Sequence, residues 1–231
     1  MKVVCHRGAN AIAPENTYAA AAPCIDWAAD YLEIDVNTSA DGIPYVFHGP
    51  GLERTTNGQG RIYDWNSDDL DQLDAGSWFS PDFRGEPLPR LEAFLDWIDH
   101  RIGLFFDIKW ASLPLMIEII RSRRLEEECF FWFGRDRFAD ELVALAPDLT
   151  LKLNVRSVAD VEVAHRRGGA MVEFGLDDDV TGIISAARAL GMQTMILQKE
   201  DNEQLFRAAI DSGADLINCD HADRFIALRD F

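Results

Sequence analysis

The sequence predicts a (β/α)8 TIM barrel with a short insertion after the second strand. Short β-rich runs alternate with helix-like patterns eight times, which implies parallel strands joined by right-handed crossovers. The 231 residues suffice for one such barrel and are read as a single domain, residues 1–231, with the insertion at about 42–89. The rival arrangement, an open doubly wound sheet, lacks its dinucleotide fingerprint, because Gly8 stands alone before Ala9-Asn10 after the first strand. A barrel also predicts that functional groups lie at the C-terminal ends of its strands.

The first strand, residues 2–5, leads through His6-Arg7-Gly8 to a helix at 15–29. Ala13-Pro14-Glu15-Asn16-Thr17 supplies a turn, a proline and capping groups for that helix, and helix-start chemistry explains the stretch adequately. The second strand, 31–36, reads Tyr31-Leu32-Glu33-Ile34-Asp35-Val36. Side chains alternate faces on a strand, so Glu33 and Asp35 share one face while Leu32, Ile34 and Val36 take the other. Residues 42–89 are rich in Gly, Asp, Asn and Pro and read as a lid or substrate wall. Ala40-Asp41-Gly42-Ile43-Pro44 is a turn into a hairpin strand, Tyr45-Val46-Phe47, and Tyr63, Trp65, Trp78 and Phe79 predict that the segment packs down. Helices then follow at 91–98, 113–123, 138–146, 158–166, 180–190, 202–212 and 222–228, with strands at 104–108, 129–133, 150–153, 170–174, 193–197 and 215–219.

Two carboxylates as close as Glu33 and Asp35 repel, so one takes up a proton unless a cation lies between them. A hard divalent metal suits such a pair, and an exposed strand edge is the other explanation. Asp107 and Lys109 share a face at the end of a later strand, which makes Asp107 a third candidate carboxylate. His6 ends the first strand and His48 the hairpin strand. Three carboxylates, two histidines, Arg7 and Lys109 at strand ends outline a metal-assisted phosphoryl site, in which the histidines could exchange protons with the attacking and leaving oxygens.

The ordered motifs HRG, APENT, EID, ADG followed by His, LERTTNGQG, PLPRLEAFL and DIK resemble those of the glycerophosphodiester phosphodiesterase family, whose fold is a (β/α)8 barrel. They cover about the first 110 residues, and Asn218-Cys219-Asp220 is similar to the family's last-strand ending. The resemblance implies that Glu33 and Asp35 bind a divalent metal, Mg2+ or Ca2+, with Asp107 completing the set. It implies that His6 and His48 are the general acid/base pair and that Arg7 and Lys109 contact the phosphate. Three departures stand out. Gly49 replaces the Asp that follows the second histidine, and Asp107 replaces a Glu. Leu197-Gln198 and Trp132-Phe133 replace rim residues of the alcohol pocket.

The expected activity is hydrolysis of a glycerophosphodiester to a glycerol phosphate and an alcohol. The aromatic insertion keeps a lysophospholipase D-like activity open, and Gly49 a barrel that binds a phosphodiester with weakened catalysis. The formal charge of −18 disfavours nucleic acid and anionic membrane surfaces, so the expected partner is a small phosphodiester, with no stable membrane association. Met1-Lys2-Val3-Val4-Cys5-His6 does not read as a signal peptide, and the expected location is the cytoplasm. Cys5, Cys24, Cys129 and Cys219 lack paired spacing and read as reduced, buried thiols. Glu173 reads as an acid paired with Lys or Arg, and His100, His165 and His221 as surface residues. Asp177-Asp178-Asp179 reads as helix capping, and Met192 and Met195 as core.

Overall fold

The computed structural model describes residues 1–229. Its elements are β1 (Lys2–Cys5), α1 (Tyr18–Asp26), β2 (Tyr31–Thr38), β3 (Pro44–Val46), α2 (Ser67–Leu70), α3 (Leu91–Ile98) and β4 (Gly103–Ile108). They continue with α4 (Leu113–Ser122), β5 (Cys129–Phe133), α5 (Asp136–Leu145), β6 (Thr150–Asn154), α6 (Val158–Arg166) and β7 (Met171–Phe174). The last are α7 (Val180–Ala189), β8 (Gln193–Gln198), α8 (Glu203–Ser212), β9 (Leu216–Cys219) and α9 (Ala222–Arg229). Parallel pairing runs β1-β2-β4-β5-β6-β7-β8-β9 and returns from β9 to β1, so the sheet closes into an eight-stranded barrel with helices between its strands. The hairpin strand β3 lies antiparallel on β2, outside the ring.

The two-residue period of a strand sorts side chains between the two sides of the barrel wall. Leu32, Ile34 and Val36 of β2 and Leu104, Phe106 and Ile108 of β4 face outward and join the core beneath the helices. The opposite parity fills the bottom of the barrel with Val4, Phe105, Phe130, Met171, Met195 and Leu216. Two residues further along these strands, the same inward parity carries His6, Asp107, Trp132, Glu173, Leu197 and Asn218, which line a cavity at the C-terminal end. The apolar floor and the polar mouth therefore come from one alternation.

The expected helix at 15–29 begins only at Tyr18. Asn16 takes a left-handed backbone (φ 59), which no helix interior accepts, and Thr17 caps the helix by accepting from the Ala20 amide at 3.2 Å. The segment between β2 and α3 has its own small core of Tyr45, Phe47, Leu52, Ile62, Leu70, Ala75 and Leu88, with Tyr63 and Trp65 packed against it. Trp78 departs from the expected packing. It is 41% exposed, because its indole donates to the Ala75 carbonyl and its ring meets only the edge of Phe79 in a surface cluster.

The turn after β1 has two consecutive left-handed residues, Arg7 (φ 56) and Gly8 (φ 83). A Cβ on Gly8 would lie 2.7 Å from the Ala20 Cβ and 2.8 Å from its carbonyl oxygen, so α1 can approach only a glycine. Replacing Gly8 by Ala is expected to cost about 2 kcal/mol or more, from left-handed strain plus overlap with backbone that cannot swing away. A lowered midpoint of urea unfolding checks this.

Candidate active site

The carboxylates come together because parallel register places Asp35 of β2 directly beside Asp107 of β4. Glu33, one inward position below Asp35, completes a cluster in which one oxygen from each residue lies within 4.8 Å of the others. All three are buried. Burial pushes Glu33 above the usual carboxylate range, and the charges of Asp35 and Asp107 add to the rise. Burial likewise raises Asp107, to about 7, with Asp35 contributing and Lys109 opposing. Asp35 goes the other way, since Lys109, His48 and Arg7 outweigh its burial and hold it below its ordinary value.

Each carboxylate is fixed by a neighbour. The Arg7 amide donates to Glu33 Oε2 at 2.6 Å. Asn16 Nδ2 donates to Asp35 Oδ2 at 2.7 Å, while Asn16 Oδ1 accepts from the Asp35 amide at 3.1 Å. Lys109 donates to Asp107 and lies 3.0 Å from Asp35 Oδ1, and Arg7 Nε lies 3.3 Å from Asp35 Oδ2. Asp107 Oδ1 is nevertheless buried without a hydrogen bond. An unpartnered carboxylate oxygen inside a cluster of three carboxylates is what a hard divalent cation, which takes oxygen ligands, would satisfy, so the residues present fit such an ion.

His6 lines the same cavity of about 190 Å³ as Arg7, Glu33, Asp107 and Lys109. Its Nδ1 lies 2.6 Å from Asp220 Oδ1, to which Asn10 also donates at 2.8 Å, so Nε2 is the ring nitrogen left for chemistry. His48 is not in that cavity. It lines a neighbouring one, with Lys109 common to both. Asn37 Nδ2 donates to the carbonyls of Phe47, His48 and Gly49 at 2.9, 3.2 and 3.2 Å and holds the turn that presents the imidazole. Burial pushes His48 down to about 4; Asp35 opposes this and Arg7, Lys109 and Arg54 add to it.

Sequence reasoning passed over Glu15, Asn16, Asp220 and Lys152. Arg54 reaches Glu15 with Nη1 at 2.8 Å and Nη2 at 2.6 Å, and Arg7 Nη1 adds a third contact at 3.3 Å, tying the inserted segment to the barrel rim. Lys152, flanked by Leu151 and Leu153, is a charge on the inward parity of an apolar strand, 1% exposed, with Nζ 2.6 Å from Glu173 Oε2. That pair bears out the reading of Glu173 as a paired acid. The four cysteines are buried and unpaired, and Asp179 caps α7.

The family model of the glycerophosphoryl diester phosphodiesterases matches residues 6–131, which contain Glu33, Asp35, Asp107, His6 and His48. The chain belongs to the glycerophosphoryl diester phosphodiesterase family. It is 40% identical over 221 residues to a glycerophosphodiester phosphodiesterase of Caldanaerobacter subterraneus, an alignment covering 90% of this chain and 91% of that one. Other curated members of the family are matched over half of their length or less. A crystal structure of a glycerophosphodiester phosphodiesterase from Agrobacterium tumefaciens superposes with a TM-score of 0.92 at 33% identity, over 98% of this chain and 99% of that one. An Oleispira antarctica phosphodiesterase in complex with the product sn-glycerol-3-phosphate superposes with a TM-score of 0.89 at 26% identity, over 100% and 97% of the two chains. Among the described residues, no helix is long and apolar enough to cross a membrane.

Proposed function

We propose that the protein hydrolyses glycerophosphodiesters to a glycerol phosphate and an alcohol with the help of a divalent metal, Mg2+ or Ca2+. The observation that carries this reading is the triad Glu33, Asp35 and Asp107 within 4.8 Å, with Asp107 Oδ1 unpartnered, beside His6 backed by Asp220. A metal held by the three carboxylates would draw charge from the non-bridging phosphate oxygens. Arg7 and Lys109 add positive charge at the same mouth and orient the phosphate. A positive charge arriving on His6 meets the Asp220 carboxylate at Nδ1, so His6 delivers its proton from Nε2 to the leaving alkoxide. His48 is neutral near pH 7 and takes the proton of the attacking oxygen, either water or the neighbouring substrate hydroxyl. The four unpaired thiols support a reducing compartment, and we place the protein in the cytoplasm.

The deciding experiment is hydrolysis by metal-stripped protein with Mg2+, Ca2+ or Mn2+ added back, over a panel of glycerophosphodiesters and lysophospholipids. Turnover that appears only with metal and is fastest on the short diesters is expected. Absence of turnover in folded protein would leave a binding barrel instead.

Thermal stability carries an independent signature of the carboxylate cluster. Asp107, at about 7 in the folded protein, binds a proton there that the unfolded chain has released, so its contribution to stability without metal falls as pH rises from about 4 to about 7, while His48, pushed down to about 4, acts in the opposite direction and offsets part of that fall. Glu33, also raised, acts in the same direction as Asp107, whereas the contribution of Asp35 changes only below the usual carboxylate range. A metal replaces the bound protons. Added Mg2+ or Ca2+ is therefore expected to raise Tm more at about pH 8 than at about pH 5, measured against chelator-treated protein.

A further inference from the structure

Two cavities meet at Lys109. The one that holds the carboxylates is small, about 190 Å³. The other is an open groove of about 700 Å³, whose walls include His48, Tyr63, Trp110 and Arg135. A phosphate held at Lys109 can send an ester arm into the groove, which has room for an arm larger than glycerol; the other wide cavity, about 630 Å³ beyond Glu173 and Leu197, is lined by Asp160, Asp177 and Asp178.

The charge of the groove is unusual for this chain. No carboxylate lines it, although the formal charge of the protein is −18. Arg135 sits with its guanidinium 5.5 Å from the centre of the Trp110 ring. Among the described residues no acid lies within ion-pair distance of it. Asp136, its neighbour in the chain, is taken by Arg167 at 3.0 Å, and Arg137 lies over Phe138. Trp110 is 44% exposed, with its backbone carbonyl held by Thr38 Oγ1 at 2.8 Å. An open indole face of this kind would ordinarily attract a quaternary ammonium. Here that face already carries a guanidinium with no acid partner among the described residues, which disfavours a second cation there.

We propose that this groove receives the alcohol half of the diester and favours an alcohol bearing its own anionic group, bound by Arg135 across the Trp110 face, over one bearing an ammonium. The proposal rests on the phosphodiesterase reading above and adds the class of alcohol to it.

The test compares kcat/KM for glycerophosphoinositol, its 4-phosphate and glycerophosphocholine at low salt. The phosphorylated diester is expected to lead the neutral one by about fivefold to tenfold, the worth of one partly exposed charge-assisted contact, with the choline diester last. Arg135→Gln is expected to bring the ratio of the first two close to one, Arg135→Lys to keep part of it, and Arg137→Gln to leave it unchanged. A wild-type ratio near one, a preference for choline or for an acylated lysophospholipid, or a ratio unaltered in Arg135→Gln overturns the proposal. Loss of turnover on every diester would fall on the phosphodiesterase reading, so calorimetric binding of the same three compounds to His6→Ala protein is measured in parallel. The same order of affinities supports the groove assignment, and an equal, reversed or absent binding order overturns it.

Discussion

His6→Ala is expected to lower kcat by about 10²- to 10⁴-fold while leaving metal affinity unchanged. The two readouts separate because His6 hydrogen-bonds to Asp220 and to none of the three carboxylates. Loss of the ring removes the proton donor at the cavity wall but leaves the oxygen cluster, with its contacts to Asn16, Arg7 and Lys109, in place. Asp220→Asn is expected to sit between wild type and His6→Ala, costing roughly tenfold to a hundredfold, since the amide can still fill the space beside Nδ1 but cannot compensate a positive ring. Turnover within a few-fold of wild type in His6→Ala protein would remove His6 from the chemistry. A parallel fall in metal affinity would mean that the substitution had disturbed the cluster and not proton transfer.

The parts of the site that the sequence made legible are those governed by strand period. Glu33, Asp35 and Asp107 could be placed together because alternation puts Glu33 and Asp35 on one face and closure of a parallel barrel sets β4 beside β2. His6 and His48 could be placed because both end β-rich runs. What escaped was what tertiary contact alone decides. Asn16 stands in a stretch that helix-start chemistry explains, yet its side chain spans from the loop before α1 to Asp35 on β2. Asp220 lies 214 residues from His6 in the chain and meets it only because β9 closes on β1. Trp78 shows the opposite failure. An aromatic in a long insertion predicts burial, but a hydrogen bond to a nearby carbonyl and an edge contact with Phe79 are enough to hold it at the surface. Gly49 was legible as a departure, and the structure adds that a Cβ there would meet nothing closer than 3.7 Å, so no steric demand explains the glycine.

Asp35 and Glu33 are neighbours on one strand face, and substituting them is expected to have opposite effects on the metal-free fold. Asp35 is fully buried and faces three donors, Asn16 Nδ2 at 2.7 Å, Lys109 Nζ at 3.0 Å and Arg7 Nε at 3.3 Å. Asp35→Ala leaves two largely buried cations without that anion, and breaking such a buried pair costs about 3–5 kcal/mol. Glu33 is in the reverse position. Burial and the charges of Asp35 and Asp107 hold it toward the protonated form, which Gln imitates in shape and charge. Glu33→Gln is therefore expected to leave the urea midpoint of metal-free protein unchanged or raised, because it removes a repelling carboxylate. Both variants lose one of three oxygen donors, so calorimetric titration is expected to show metal affinity reduced by at least about a hundredfold in each, with turnover falling accordingly. The pairing makes the experiment discriminating. Equal destabilisation by the two substitutions would mean that Glu33 is charged and compensated in the metal-free fold. Undiminished metal affinity in both would place the ion elsewhere and leave Glu33, Asp35 and Asp107 as a structural cluster bridged by Lys109.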